Sequence, residues 1–273
     1  MSWQVKVSVE CQQKLKLHIM NFLCLKNHVL VLAEEVVQFF FSGCNLNCLF
    51  CQNYEISTKR KGKFISAQEL VNIFKELESL GAENINLVSP THYALQIVEA
   101  LKIYKPKVPV IYNTNGYENI KTIEYVAPYV DVFLPDFKYY SSQLAEQFSS
   151  VPDYYRVALK AIKRMRELKQ DKFVNGKIVE GVIIRHMILP LCTNDSIKVL
   201  ETIKTQVPNT KVSLLAQYTP YGEASKIKAI NRKITQREYN KVFNKFVEFN
   251  FDGYVQELES ASTEFIPKFK YIN

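Results

Sequence analysis

Cys44-Asn45-Leu46-Asn47-Cys48-Leu49-Phe50-Cys51 decides the reading of this chain: three cysteines spaced x3 and then x2, directly after Phe39-Phe40-Phe41-Ser42-Gly43. Thiolates are soft metal ligands, and three so close together can wrap one face of a cubic iron–sulfur cluster. A [4Fe–4S] cluster ordinarily takes four cysteines, and no fourth follows in this stretch. One iron left open is what a cluster needs if it is to bind a small molecule and do chemistry on it.

The bland alternatives are structural zinc and incidental cysteines. A structural zinc site wants four closed ligands, usually including C-x2-C pairs. Cys11, Cys24 and Cys192 lie far from the triad without pairing spacing, and His18, His28, His92 and His186 do not bracket it. A disulfide framework does not suit a long chain with six scattered cysteines and no signal-peptide pattern.

At 273 residues and 47% apolar composition the chain can bury one large α/β core. No run of about eighteen apolar residues suggests a membrane span. The net charge of +8 is spread along the sequence, and its densest cluster, Lys59-Arg60-Lys61-Gly62-Lys63, lacks interleaved aromatics. That pattern describes a solvated loop, so nucleic acid is not an expected partner. Reduced cysteines and an oxygen-sensitive cluster point to the cytoplasm of an anaerobic or microaerobic cell.

From residue 36 onward, short apolar runs alternate with helical patterns. Strands are expected at Val36–Phe41, Ile85–Val88, Val108–Tyr112, Val130–Leu134, Ile178–Leu189, Val212–Ala216 and, weakly, Tyr254–Glu257. Ser66-Ala67-Gln68-Glu69 is a capping box opening a helix to Leu80, with Gly81 as its stop. Further helices are expected near Tyr93–Ile103, Ile120–Ala127, Asp153–Leu168, Ser196–Thr205 and Thr235–Phe249. Strands buried on both faces and alternating with helices indicate a parallel sheet. About six such units favour an α/β fold of the incomplete (β/α)6-type TIM barrel, whose chemistry sits at the carboxyl ends of the strands. Those ends carry Ser42-Gly43-Cys44, Ser89-Pro90-Thr91-His92, Asn113-Thr114-Asn115-Gly116, Pro135-Asp136-Phe137-Lys138, Arg185-His186 and Gln217-Tyr218-Thr219-Pro220.

From Cys44 to Gln256 the chain resembles radical S-adenosylmethionine (SAM) proteins of the subgroup similar to pyruvate formate-lyase activating enzyme. The motifs that carry the resemblance are FSGCNLNCLFCQNYEIS (41–57), NINLVSPTHY (84–93), YNTNGYE (112–118), VDVFLPDFKYY (130–140), RHMILP (185–190) and SLLAQYTPYGEA (213–224). The resemblance implies a radical SAM core with Cys44, Cys48 and Cys51 as ligands of a [4Fe–4S] cluster whose open iron chelates SAM. An electron from the cluster then cleaves SAM to methionine and a 5′-deoxyadenosyl radical, which abstracts hydrogen from a substrate. It also implies a small electron donor such as flavodoxin or ferredoxin, and a protein or peptide substrate if the chain is activase-like.

Residue by residue, the resemblance sets Phe50 against the adenine and Lys138 at the SAM carboxylate. Asp136 would help hold a cation or the sulfonium region, and Arg185 would point at the carboxylate or the substrate. Asn113 and Asn115 stand in an Asn-Thr-Asn-Gly motif where activating enzymes have Asp-Thr-Asn-Gly, which removes one negative charge. The family's Gly-Gly-Glu motif for the SAM amino group is replaced by Ser89-Pro90-Thr91-His92, making Thr91 and His92 candidates for that contact, with helix capping by Thr91 as the alternative. Tyr218 takes the place of an adenine-contacting histidine, while His186, facing the other way along its strand, reads as structural.

Residues 1–38 match nothing in the family, and all eight glycines lie at Gly43 or later. Read across codons, the third base of each with the first two of the next, Leu32 to Phe39 can spell the family's Ser-Gly-Gly-Ser-Gly-Thr-Val. Lys26 to Val29 and Trp3 to Glu10 likewise hide Cys- and Gly-containing text. The expectation is therefore a leader, 1–38, translated out of frame through a shift in the thymine-rich Phe39–Phe41 codons, followed by a partial-barrel domain, 39–273. Cys11 and Cys24 are not assigned as ligands. Three rival functions stay open: an iron–sulfur electron-transfer module without SAM cleavage, a radical enzyme acting on a small molecule or nucleoside, and an inactive product of the disrupted leader.

Overall fold

The computed structural model describes residues 15–19 and 37–261. Its strands are β1 (Leu15–Ile19), β2 (Val37–Phe41), β3 (Lys63–Ile65), β4 (Ile85–Val88), β5 (Val110–Thr114), β6 (Val132–Pro135), β7 (Lys172–Val174), β8 (Lys177–Met187), β9 (Lys211–Leu215) and β10 (Gly253–Val255). Its helices are α1 (Tyr54–Ser57), α2 (Ala67–Ser79), α3 (Ala94–Ile103), α4 (Ile120–Val126), α5 (Ser142–Ser149), α6 (Tyr154–Leu168), α7 (Thr193–Gln206) and α8 (Gln236–Glu248). The strands β2, β4, β5, β6, β8, β9 and β10 neighbour one another in that order, all in parallel. β10 ends the row at one side and β3 at the other, so the sheet is an unclosed barrel, as the alternating pattern predicts.

Alternation along each strand sorts side chains into two cores. Ile111, Val132, Leu134 and Ile183 fill the inside of the curved sheet. Their neighbours Tyr112, Phe133, Val182 and Ile184 pack outward against the helices in the larger core. This is the period-two consequence of strand geometry when both faces are covered. In α2 the buried residues Leu70, Val71, Phe74 and Leu77 recur at helical spacing, and Ser66 and Glu69 close the capping box expected there. α8 opens with a second capping box, between Thr235 and Glu238.

Several elements differ from the expected ones. α5 and the four-residue α1 were not predicted; both are too short for helical periodicity to stand out. The run expected as one strand at 178–189 ends at Met187 and is preceded by β7, which pairs with it antiparallel. Asn175 and Gly176, both at positive φ, make the turn, and an Asn-Gly pair between apolar runs was the available signal. Of the expected leader, Leu15–Ile19 pairs antiparallel with β2 and β3; residues 1–14 and 20–36, Cys11 and Cys24 among them, lie outside the described residues.

The β5 and β6 ends are locked together. Gly116 has φ +81°, and a Cβ there would collide with the Asp136 carbonyl. The buried Tyr154 hydroxyl lies 2.8 Å from the carbonyls of Asn115 and Asp136 and accepts the Lys138 N–H at 3.0 Å. Behind β5, the Glu118 carboxylate accepts hydrogen bonds from Thr91 (2.6 Å) and Thr114 (2.5 Å), with its second oxygen unpartnered. Burial pushes its pKa up to about 7 in spite of those two bonds.

Two predictions come from these contacts. Replacing Tyr154 by Phe strands buried backbone groups and should cost about 1–3 kcal/mol in denaturant unfolding; a loss within experimental error contradicts the bonding described. For Glu118, the folded pKa lies above the unfolded one, so the native state binds the extra proton and stability falls as pH rises from about 4.5 to about 7. Glu118→Gln keeps the acceptor oxygen, and relative to wild type should gain roughly 1–3 kcal/mol between about pH 5 and about pH 8. A difference independent of pH would show that the carboxyl is not buried.

Candidate active site

The three cysteines sit on the connection leaving β2, pinned from four sides by backbone and side-chain contacts. Gly43, at φ +91°, donates to Ile56 O at 2.8 Å, and Leu49 donates to Phe148 O at 2.9 Å at the end of α5. Glu223 N–H reaches Leu49 O at 2.6 Å from the connection after β9. At the end of β5, the Asn115 amide donates to Asn45 Oδ1 at 2.6 Å, while Asn45 donates to Tyr117 O at 2.6 Å. The loop thus takes its shape from long-range contacts, with its apolar members Leu46 and Phe50 buried in the outer core.

A cavity of about 190 Å³ opens at the carboxyl ends of the strands. Cys48, Cys51 and Phe50 line it from the loop, Asn113 from β5, Asp136 and Lys138 from the end of β6, and Arg185 from β8. Asp136 receives Lys138 Nζ at 2.5 Å and Arg185 Nη2 at 2.6 Å, one cation on each carboxylate oxygen. Burial alone would raise the Asp136 carboxyl, but the charges of Arg185 and then Lys138 hold it below its usual range. The network carries one net positive charge, and Arg185 Nε remains unpartnered. A partly buried cation with unused donor capacity suits a carboxylate ligand.

Burial pushes all three thiols up, Cys48 to about 12, and negative charge on one raises another: Cys44 and Cys51 both raise Cys48. Lys138 acts the other way on each but does not offset desolvation. Three thiolates persist here only when a metal centre supplies compensating charge, which is the normal coupling of ligation to deprotonation. Among the described residues no group of three His, Cys, Asp or Glu side chains is disposed to hold a metal ion. A closed structural zinc site wants four protein ligands, and the triad supplies three. A larger cluster with one open position fits it in donor type and number.

Not every expected residue reaches the cavity. Cys44 and Asn115 stand one layer back, where Asn115 Nδ2 donates to Cys44 Sγ at 3.2 Å. Tyr218 is fully buried behind Phe50, ring centroids 5.7 Å apart, with its hydroxyl bonded to Ile230 O at 2.7 Å. It thus stands behind Phe50 and outside the lining of the cavity. Thr91 is committed to Glu118 and caps no helix, and His92 is exposed beside Gly43; neither lines the cavity. His186 bonds Phe137 O at 2.7 Å through Nδ1, and burial depresses its pKa to about 4, a neutral structural histidine.

Other cavity residues went unassigned: Gln38 and Phe40 of β2, Gln52 and Asn53 beside the triad, Val88, Met187, Leu189, Leu215 and Gln217. Inward alternation from Asn113 and Arg185 would have found Met187. Gln217 follows likewise from Leu215, two residues before it and on the same face.

The sequence profile described as Radical SAM superfamily matches residues 39–202. An uncharacterized protein of Methanocaldococcus jannaschii is 30% identical over 255 residues, spanning 89% of this chain and 70% of that protein. Among solved structures, Streptococcus suis SuiB bound to precursor peptide SuiA aligns with a TM-score of 0.56 at 17% identity, over 81% of this chain and 49% of SuiB. The chain thus spans about half the length of SuiB. A spore photoproduct lyase aligns with a TM-score of 0.59 at 10% identity, over 87% of this chain and 79% of the lyase. At such identities the likeness is one of fold. Proteins of the matched superfamily use a [4Fe–4S] cluster and SAM. With that match and an open parallel sheet carrying three cysteines at its rim, the chain belongs to the radical SAM superfamily.

Proposed function

We propose that this radical SAM enzyme is activase-like and abstracts hydrogen from a glycine or another backbone position of a protein or peptide. The carrying observation is the single cavity on which Cys48, Cys51 and the Asp136–Lys138–Arg185 network converge. When bound, a [4Fe–4S] cluster supplies the electron that splits SAM into methionine and a 5′-deoxyadenosyl radical.

The chain's own residues divide the remaining work. Cys44, Cys48 and Cys51 hold the cluster. Lys138 and Arg185 offer the cationic donors for the SAM carboxylate, and Asp136 keeps both in place and charged. Phe50, braced by Tyr218 and Phe148, gives the adenine a flat apolar surface. Asn113 sits between these groups as a neutral hydrogen-bonding partner. Phe40, Val88, Met187, Leu189 and Leu215 line the cavity with apolar surface, which keeps water from a reactive centre. Gln38 adds a neutral amide, whose paired donor and acceptor match a peptide backbone, and Gln217, whose Oε1 accepts from Gln256 Nε2 at 3.0 Å, adds amide donors. The solved complex of SuiB with a precursor peptide is a precedent for a peptide on this fold.

Anaerobic reconstitution with iron and sulfide, followed by SAM and dithionite, should yield 5′-deoxyadenosine. Cys51→Ala should reduce that yield by at least about a hundredfold, and Arg185→Lys should raise the SAM requirement about tenfold, since a point charge cannot replace a planar fork. Redox cycling of the cluster without 5′-deoxyadenosine would instead identify an electron carrier. Deuterium transfer into 5′-deoxyadenosine from a glycyl-labelled peptide, and none from labelled nucleosides, tests the substrate class.

A further inference from the structure

Each cysteine of the triad meets a polar side chain from a different part of the fold, and Cys44 Sγ also lies 3.9 Å from Oδ1 of its neighbour Asn45. Asn115 Nδ2, after β5, lies 3.2 Å from Cys44 Sγ. Ser149 Oγ, ending α5, lies 2.9 Å from Cys48 Sγ, and Ser57 Oγ, ending α1, lies 3.1 Å from Cys51 Sγ. Cys44 also receives the Leu46 N–H at 3.5 Å. The direction of these bonds follows from chemistry, because a ligated sulfur has no proton and can only accept. Both serines must then donate.

Asn115 is fixed in orientation. One amide hydrogen serves Cys44, the other serves Asn45 Oδ1, and its carbonyl oxygen takes the Tyr117 N–H at 2.9 Å. Ser149, its proton committed to Cys48, must accept from Tyr139, whose hydroxyl lies 2.8 Å away. Tyr139 and Ser149 are both buried, so water does not compete for this relay. The resulting order is Tyr139 to Ser149 to Cys48 Sγ.

We propose that Asn115, Ser149 and Ser57 are positioning residues that set the reduction potential of the cluster, with Tyr139 reinforcing Ser149. The proposal rests on the triad holding a [4Fe–4S] cluster. Adding one electron places more negative charge on the ligating sulfurs, so a donor at each sulfur stabilises the reduced form more than the oxidised form and raises the potential. The three donors also divide the work by element, one ligand to one support, so each can be varied separately.

The test is an anaerobic redox titration of the reconstituted full chain, followed by electron paramagnetic resonance, without SAM. At wild-type iron and sulfide content, Ser149→Ala, Ser57→Ala and Asn115→Ala should each lower the reduced-to-oxidised ratio about tenfold at a fixed potential, a shift of about 59 mV for one electron. Ser149→Thr retains the hydroxyl and should titrate like wild type, while Tyr139→Phe should shift in the same direction by a smaller amount. If an alanine variant takes up less iron, Tyr139→Phe decides, because it leaves every sulfur with its first donor. Unchanged potentials in fully loaded Tyr139→Phe and Ser57→Ala overturn the proposal while leaving the cluster reading intact. A wild-type chain that assembles no cluster overturns both.

Discussion

Desolvation of three thiols on one loop is the constraint on which the rest of the site depends. A cysteine sulfur removed from water strongly favours its protonated form, and neighbouring thiolates oppose one another. Burial pushes Cys44, Cys48 and Cys51 upward, and Lys138 is a cation acting against that trend on all three. The loop is therefore built for a metal centre rather than for free thiolates. Its surroundings follow suit, with short-range polar support at each sulfur and no carboxylate in hydrogen-bonding contact with any of them among the described residues.

The open sheet turns that local chemistry into a site. Parallel strands bring the ends of β2, β5, β6 and β8 to one rim, although their residues lie far apart in sequence. Gly116 lets β5 and β6 approach, and Tyr154 ties their ends to Lys138 N. The same junction fixes Asp136 between Lys138 and Arg185. Removing one partner from this partly buried ion network leaves another charge unpaired, which is unfavourable. Fold stability and the proposed ligand contacts thus draw on the same few atoms.

Much of this was legible in the sequence because it is local. Cysteine spacing, strand–helix alternation and the Ser66–Glu69 capping box are all short-range patterns; the last two appear in the fold, and the first lies within the superfamily match. The polar strand-end motifs also identified Asn113, Asp136, Lys138 and Arg185 as residues sharing one rim. What escaped was contact between distant segments. Nothing near Thr91 in the sequence shows that Glu118 will claim its hydroxyl, and nothing near Tyr218 shows that Ile230 will turn its phenol away from the cavity. Ser57 and Ser149 read as ordinary helix residues until folding sets them against Cys51 and Cys48. The β7–β8 hairpin is a different case, since Asn175-Gly176 is a visible turn signal just ahead of the strand expected from Ile178.

The claim at the centre of this account is that the triad leaves one cluster position open to SAM. Mössbauer spectroscopy of anaerobically reconstituted, iron-57-enriched protein, with and without SAM, addresses it most directly. A [4Fe–4S] spectrum in which a single iron subsite shifts on adding SAM is the predicted result. A spectrum unchanged by SAM, or protein that holds zinc in place of iron, would contradict it.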